Sequence, residues 1–351
     1  MLEPLEDRNL TEIRPLPPPK KVKRTTPITP RAALTVATAR REIRDIIHGR
    51  DATRLLAIVG PCSIHHPDEA LEYATRLQCA AEPLRGEICV VMRTYFEKPR
   101  SNLGWKGLVN DPNLDESCDV AAGLALARRL LLEINQLGLP CASEMLDPFM
   151  PQFVADLLSW AAIGARTSES QPHRELASGL SMPIGFKNGT HGGLGVAHNA
   201  MITASRPHSF LGISVDGRSA VVSTTGNPDL HLVLRGGNNG PNHDAESIEQ
   251  ALARVAGLGV ARPIMVDCSH GNSQKDHTRQ AAVCHDILRQ VLAGNGAIMG
   301  LMLESNLRPG NQPWSPGRPL RRGLSITDTC IGWNETEDLL NEIAAVVKLR
   351  R

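Results

Sequence analysis

Several patterns that would mark a particular class of protein are missing from this sequence of 351 residues. No stretch approaches 18 uninterrupted apolar residues, so we expect no membrane-spanning helix. The N-terminal segment is charged and rich in proline and lacks an apolar core, so we expect no signal peptide. The formal net charge is only +1, which argues against a general surface for nucleic acid or for anionic membranes.

The eight cysteines form no CxxC pair, and several lie in apolar, strand-like runs. This pattern is typical of buried thiols in a reducing cytoplasm rather than of a disulfide framework. The run Gly192-Gly193-Leu194-Gly195 lacks the GxGxxG spacing, so we expect no dinucleotide site. The basic run from Lys20 to Arg24 has two interpretations, a solvated arm or a nucleic-acid or nuclear-localisation patch, and the balanced charge elsewhere favours the arm.

From residue 51 onward, apolar strand-like runs alternate with helix-like runs. Eight such runs are predicted strands: Leu55–Gly60, Ile88–Arg93, Ala142–Leu146, Ala161–Arg166, Met182–Lys187, His231–Arg235, Pro263–Cys268 and Ile298–Glu304. Alternation indicates a parallel sheet, and eight repeats indicate a closed (β/α)8 TIM barrel of the α/β class. We therefore expect an N-terminal extension and helix over 1–50, followed by a barrel over 51–351.

One insertion interrupts this alternation at about 208–225. Two apolar runs, Ser209–Ser214 and Ala220–Thr224, flank Asp216-Gly217, which is typical of a β-hairpin. The hairpin has no place in a closed barrel, so we expect it to serve assembly or regulation.

Charged residues lie at or just beyond the carboxyl ends of most predicted strands, where TIM barrels do their chemistry. Six of them are cations: Arg93, Lys98, Arg100, Arg166, Lys187 and Arg235. Cations packed this closely are costly unless anions neutralise them, and arginine binds phosphate and carboxylate oxygens bidentately. The pattern predicts small, multiply anionic ligands that carry phosphate.

A second set of strand-end residues has the chemistry of metal ligands. It comprises Cys62, His270, Glu304 and Asp328. A thiolate, an imidazole and two carboxylates favour a divalent transition metal, namely Mn, Fe, Co or Zn, over calcium. Taken alone, Cys62 is more often a buried structural cysteine. The barrel strengthens the case for a metal site by placing three of the four residues at one face.

Several motifs resemble those of 3-deoxy-D-arabino-heptulosonate-7-phosphate synthases of type I that carry an N-terminal extension. They are Gly60-Pro61-Cys62-Ser63-Ile64-His65, Tyr95-Phe96-Glu97-Lys98-Pro99-Arg100, Gly104-Trp105-Lys106-Gly107, Ile163-Gly164-Ala165-Arg166, Gly185-Phe186-Lys187-Asn188-Gly189-Thr190, Leu234-Arg235-Gly236-Gly237 and Asp267-Cys268-Ser269-His270. The resemblance covers about residues 7–348. It implies condensation of phosphoenolpyruvate with erythrose 4-phosphate, the first step of the shikimate pathway.

The resemblance also implies roles for single residues. Metal ligands would be Cys62, His270, Glu304 and Asp328, with Lys98, Cys62 and His270 at the catalytic centre. Substrate contacts would come from Arg93, Lys98, Pro99, Arg100, Ser101, Glu144, Ala165, Arg166, Lys187, Arg235 and Asp267. The family commonly has threonine at the position of Ser101, and serine keeps the hydroxyl group. His191 stands where aspartate is usual, and we predict no effect of that difference.

Members with this extension and hairpin are typically homodimers or homotetramers inhibited by an aromatic amino acid. The matching effector positions are Pro151, Gln152, Leu176, Leu180, Ser181, Phe210, Gly212 and Val222, with Asp7 and Asn9 from an arm that could belong to a neighbouring subunit. These residues have a second interpretation, simple packing of the hairpin onto the barrel. The runs Leu146-Asp147-Pro148 and Phe210-Leu211-Gly212-Ile213 resemble the tyrosine-sensitive branch. In that branch glycine replaces a serine of the phenylalanine-sensitive one, which favours tyrosine as the effector.

Three other functions compete with this one. A sibling enzyme that uses arabinose 5-phosphate is disfavoured by the Lys98-Pro99-Arg100 run and by the extension. A catalytically silent barrel would be expected to lack a metal ligand or a phosphate-binding arginine, and none is missing. A metal-dependent aldolase would need fewer anion-binding residues than the sequence supplies.

Overall fold

The computed structural model describes residues 5–100 and 102–350. Ten strands, numbered in chain order, are β1 Leu55–Gly60, β2 Ile88–Arg93, β3 Cys141–Glu144, β4 Trp160–Ile163, β5 Ile184–Lys187, β6 Ser209–Ile213, β7 Ser219–Ser223, β8 Leu230–Leu234, β9 Ile264–Asp267 and β10 Ile298–Glu304. Eight of them form a closed parallel barrel in the order β1-β10-β9-β8-β5-β4-β3-β2. The predicted (β/α)8 barrel is therefore confirmed.

Helices surround this barrel. They are α1 Pro19–Thr25, α2 Pro30–Ile47, α3 Pro67–Ala81, α4 Val120–Gln136, α5 Met150–Val154, α6 Gln171–Gly179, α7 Gly195–Ala204, α8 Ala245–Val255, α9 Gln280–Leu292 and α10 Trp333–Arg350. Several begin at a capping side chain, as at Asp119, whose carboxylate accepts a hydrogen bond from Ala122 N at 3.0 Å and satisfies one free donor of the first turn. No helix of the described residues is long and apolar enough to cross a membrane.

Burial explains why the barrel strands were recognisable. Every residue of the eight barrel strands is buried, whereas β6 and β7 alternate between exposed and half-buried positions. Parallel strands that are covered on both faces read as continuous apolar runs. The antiparallel pair β6–β7, with Phe210 opposite Val222, is the predicted hairpin and lies outside the barrel.

Helix α2 closes the amino end of the barrel. Its residues Ile43, Ile46 and Ile47 are fully buried and pack with Leu56 and Ile58 of β1. The carboxyl ends of the strands are thus left as the open mouth. The division of the chain at residue 50 stays a prediction, although α2 contributes directly to the barrel core.

The structure differs from the sequence analysis at some element ends. Strand β4 ends at Ile163 and β8 at Leu234, so Arg166 and Arg235 lie in the following loops. Helix α1 forms in the segment interpreted as an arm, and its Val22 is buried. Short helices with one or two apolar residues facing the core carry too little periodicity to be recognised in sequence.

Candidate functional site

A cavity of about 520 Å³ opens at the carboxyl end of the barrel. Eleven of the predicted site residues line it: Lys98, Pro99, Arg100, Glu144, Ala165, Arg166, Lys187, Arg235, His270, Glu304 and Asp328. They come from the ends of seven different strands or from the loops that follow them. The expected cationic mouth is therefore present as a geometrical feature.

Three predicted residues lie beneath this cavity rather than on its wall. Cys62, Arg93 and Asp267 are each fully buried. Arg93 Nη2 donates to Glu304 Oε1 at 2.9 Å, so Arg93 holds a cavity carboxylate in place. Ser101 lies outside the described residues.

Two contacts of the buried Asp267 carboxylate organise the wall. Lys187 Nζ lies 2.9 Å from Asp267 Oδ2, and Asp267 Oδ2 also lies 2.9 Å from His270 Nδ1. Burial disfavours the charged form of Lys187, but attraction by Asp267, together with Tyr95 and Glu144, outweighs it and raises the Lys187 pKa. Asp267 thus fixes both a cation and the ring of His270.

The positive charge of Arg235 is less well neutralised than that of Lys187. Burial lowers its pKa, and repulsion from Arg166 adds to that effect, although Asp267 acts in the opposite direction. A cavity in which one guanidinium is destabilised by another has a net preference for anions. An arriving phosphate or carboxylate would relieve this repulsion.

A cluster of candidate metal ligands lies at one side of the cavity. Among the described residues, ligand atoms of Cys62, Glu304 and Asp328 lie within 4.8 Å of one another. His270 Nε2 lies 3.7 Å from Glu304 Oε1, so the fourth predicted ligand faces the same group. A sulfur, a nitrogen and carboxylate oxygens at this spacing fit a divalent transition metal.

The protonation states of Cys62 and Asp328 are also consistent with a metal site. Burial, and then the nearby Glu304, raise the pKa of Cys62 to about 12. Without a metal Cys62 is therefore a protonated thiol, and a bound metal would deprotonate it. Burial opposes ionisation of Asp328, but attraction by Lys98 and His270 lowers the Asp328 pKa to about 2. Lys98 Nζ lies 3.0 Å from Cys62 Sγ, between this cluster and the cationic wall.

Some lining residues were given no role in the sequence analysis, although three of them lie within the motifs quoted there. They are Asn102, Leu103, Gly164, Thr190, Ser269, Ser273, Lys275, Asn311 and Thr329. Most lie within a few residues of a predicted site residue, so their position in a strand-end loop is the sequence feature that could have identified them. A Cβ at Gly164 would lie 2.2 Å from Glu144 Oε1, so a side chain there would displace the Glu144 carboxylate.

A second cavity of about 560 Å³ lies between α5, α6 and the hairpin. Eight of the predicted effector positions line it: Pro151, Gln152, Leu176, Leu180, Ser181, Phe210, Gly212 and Val222. Lys23, Gln171 and Glu175 add polar groups that the sequence analysis did not identify. Asp7 and Asn9 are exposed and do not line this cavity.

Comparison with known proteins agrees with this geometry. Residues 25–341 match the DAHP synthetase I family. The chain is 51% identical over 346 residues to "Phospho-2-dehydro-3-deoxyheptonate aldolase, Phe-sensitive" of Escherichia coli K12, covering 99% of this chain and 98% of that protein. It is 50% identical over 340 residues to the Tyr-sensitive protein of the same strain, covering 97% and 95%.

A solved structure is similarly close. The phospho-2-dehydro-3-deoxyheptonate aldolase of Francisella tularensis SCHU S4 superposes with a TM-score of 0.94 at 45% identity, covering 98% of this chain and 100% of that one. The likeness therefore extends over the barrel, the hairpin and nearly all of the N-terminal segment.

The cluster generates a prediction about metal content. Protein dialysed against MnCl2 and then desalted should retain about one ion per chain, measured by plasma mass spectrometry. Cys62→Ala should reduce retention at least about tenfold, because it removes a ligand and even supporting residues cost 10–100-fold. Cys89→Ala, which removes a buried thiol at the other end of the barrel, is the control. Equal retention in Cys62→Ala and wild type would reject the site.

Proposed function

The chain belongs to the DAHP synthetase I family, and we propose that its barrel mouth condenses phosphoenolpyruvate with erythrose 4-phosphate. The products are 3-deoxy-D-arabino-heptulosonate 7-phosphate and phosphate. The observation that carries this proposal is one cavity that combines several cations with a cluster of metal ligands. Two anionic substrates and an aldehyde oxygen require that combination.

The cationic wall divides between the two substrates. Arg166, Lys187 and Arg235 bind the phosphate and carboxylate of phosphoenolpyruvate, since they lie on adjacent strand ends. Lys98, Pro99 and Arg100 form the opposite part of the rim and bind the phosphate of erythrose 4-phosphate. Holding both anions in one orientation converts a bimolecular step into an effectively unimolecular one.

Carbon–carbon bond formation follows from this placement. The enol carbon of phosphoenolpyruvate attacks the aldehyde carbon, and the aldehyde oxygen takes a proton from Lys98. Water then adds to the cationic carbon that bears the phosphate ester and loses a proton, which replaces the one given up by Lys98. In the resulting phosphohemiketal the bond between this carbon and the ester oxygen breaks, and phosphate leaves with the hydroxyl proton as the ketone forms. Cys62, His270, Glu304 and Asp328 would hold a divalent ion, which would supply Lewis-acid polarisation of a carbonyl oxygen at this site.

Removal of one arginine tests the substrate assignment. Arg235→Ala should lower kcat/KM for phosphoenolpyruvate at least about 30-fold, because an unpaired buried charge costs about 2–5 kcal/mol. Initial rates of phosphate release measure this. Arg318→Ala, which removes an exposed loop arginine, is the control and should match wild type. An unchanged kcat/KM in Arg235→Ala would show that this side chain binds neither anion.

The second cavity supports feedback inhibition by an aromatic amino acid, with tyrosine preferred. Apolar side chains such as Leu176, Phe210 and Val222 suit a ring, and Gln152 and Ser181 suit the amino-acid head. A Cβ at position 212 would lie 2.8 Å from Val222 Cγ2, so glycine leaves room that a larger residue would fill. The two relatives with phenylalanine and tyrosine sensitivity are equally similar to the chain, so the preference rests on Gly212.

Initial rates with each of the three aromatic amino acids test the effector. Tyrosine should inhibit most, and Gly212→Ser should weaken inhibition by tyrosine more than inhibition by phenylalanine. Gly296→Ser, in open space on the surface, should leave both unchanged. Stronger inhibition of wild type by phenylalanine or tryptophan would contradict the choice of tyrosine.

We further propose that the enzyme is a homodimer or homotetramer. Large apolar side chains are exposed on the hairpin, at Leu211 and Val221, and on the N-terminal segment, at Leu10 and Ile13. Exposed apolar groups that cluster on one element are typical of interfaces. The eight free thiols, six of them buried, support a reducing cytoplasm as the site of action, and cell fractionation checks this.

Light scattering at micromolar concentration should give the mass of two or four chains. Replacing both Leu211 and Val221 with lysine should lower that mass, because two charges would be buried at the interface. Leu349→Lys, on the exposed face of α10, should not. A wild-type peak at the mass of one chain would contradict the assembly.

A further inference from the structure

Gln280 carries a buried amide that binds both backbone groups of Glu304. It is the first residue of α9, and its side chain is fully buried. Its Nε2 donates a hydrogen bond to Glu304 O at 2.9 Å, and its Oε1 accepts one from Glu304 N at 2.9 Å. A carbonyl only accepts and an N–H only donates, so the two partners fix the orientation of this amide. One side chain of α9 therefore holds the backbone of one residue of β10.

Strand β9 ends before it reaches Glu304. Its pairing with β10 stops at Met302, where Cys268 N donates to Met302 O at 2.9 Å. Alternate residues of a parallel strand bond to the same neighbour, so the N–H and C=O of Glu304 face the side on which β9 has ended. Ile331 N reaches Glu304 O there at 2.9 Å. Gln280 binds the same oxygen and also the N–H, which would be costly to bury without a partner.

Arg93 holds the other end of Glu304. Arg93 Nη2 donates to Glu304 Oε1 at 2.9 Å, and both side chains are buried. The ligand atoms of Glu304, Cys62 and Asp328 lie within 4.8 Å of one another. Because Gln280 fixes the backbone of Glu304 and Arg93 fixes its carboxylate, these two contacts determine where Glu304 lies relative to the other ligands.

The connection between β9 and α9 also reaches two further candidate ligands. His270 lies in this connection. His277, shortly before Gln280, contacts Thr329 at 2.7 Å between Nδ1 and Oγ1, and Thr329 directly follows Asp328. The amino end of α9 thus connects three of the four candidate ligands, with Gln280 as its contact to Glu304.

We propose that Gln280 is a positioning residue of the metal site, whose amide fixes the backbone of Glu304 so that the carboxylate stays at the spacing that a divalent ion requires. This inference rests on the metal site of the proposed function. Metal–ligand distances tolerate deviations of only about 0.2 Å, so a small shift of the Glu304 backbone weakens binding.

Titration of the apoprotein with MnCl2, followed by the electron paramagnetic resonance signal of the free ion, tests the proposal. Gln280→Met has a similar length and removes both hydrogen bonds, so the dissociation constant for Mn²⁺ should rise about 10–100-fold. Gln280→Asn keeps a polar amide but is one methylene too short to reach both groups, so it should also weaken binding. It serves as the test if Gln280→Met does not fold.

Asn135→Leu is the matched control for loss of a buried amide. Asn135 is fully buried near the start of β3, at the other end of the barrel, and its Nδ2 donates to Leu131 O at 2.7 Å and to Leu157 O at 2.9 Å. Its replacement should lower the melting temperature in EDTA, as Gln280→Met does, but leave the dissociation constant for Mn²⁺ unchanged.

The outcomes separate this inference from the proposed function. Wild-type Mn²⁺ affinity in a folded Gln280 variant, or equal weakening in Asn135→Leu, would overturn the role of Gln280 and leave the metal site in place. If wild type binds no Mn²⁺, the metal site fails and this inference fails with it. If the affinities change as expected but no condensation occurs, the proposed function fails and the role of Gln280 stands.

Discussion

Pairing of β1 with β10 closes the sheet, and the rest of the structure depends on that closure. Val59 lies beside Leu303 and Gly60 beside Glu304 in this pairing, which brings the two ends of the barrel sequence to one place. Cys62 and Asp328 are 266 positions apart in the sequence, and closure of the barrel brings their side chains into contact. Since parallel strands all point the same way, closure turns eight separate strand ends into one ring.

Charge balance then determines which strand-end residues remain free for ligands. The acids Glu304 and Asp267 neutralise Arg93 and Lys187 below and on the wall of the cavity. Arg166, Arg100 and Arg235 have no carboxylate within ion-pair distance among the described residues. The cations at the base and on the wall of the cavity are therefore neutralised by carboxylates, whereas the arginines at its rim are not. An anion is the expected ligand of those arginines.

The same β3 loop takes part in both cavities. Glu144 lines the mouth, whereas Pro148 and Phe149 line the cavity beside the hairpin. Glu97 contacts this loop between those two regions, through the backbone of Asp147. The β3 loop is therefore the segment of the chain that joins the two cavities.

The sequence by itself determined the barrel, the hairpin and the residues at the strand ends, because double-sided burial leaves continuous apolar runs that stop at a charge. It also contained the motifs around Cys62 and Lys187 that carry the family resemblance. Only the tertiary structure decided that Arg93 supports Glu304 from below while Arg235 faces the cavity, since side-chain direction depends on stagger and closure. It also decided that Pro151, Leu176 and Gly212 share one cavity that Asp7 does not reach, and that the Gln280 amide meets the backbone of Glu304. Contacts between distant segments arise from packing, and a linear pattern carries no record of which faces will meet.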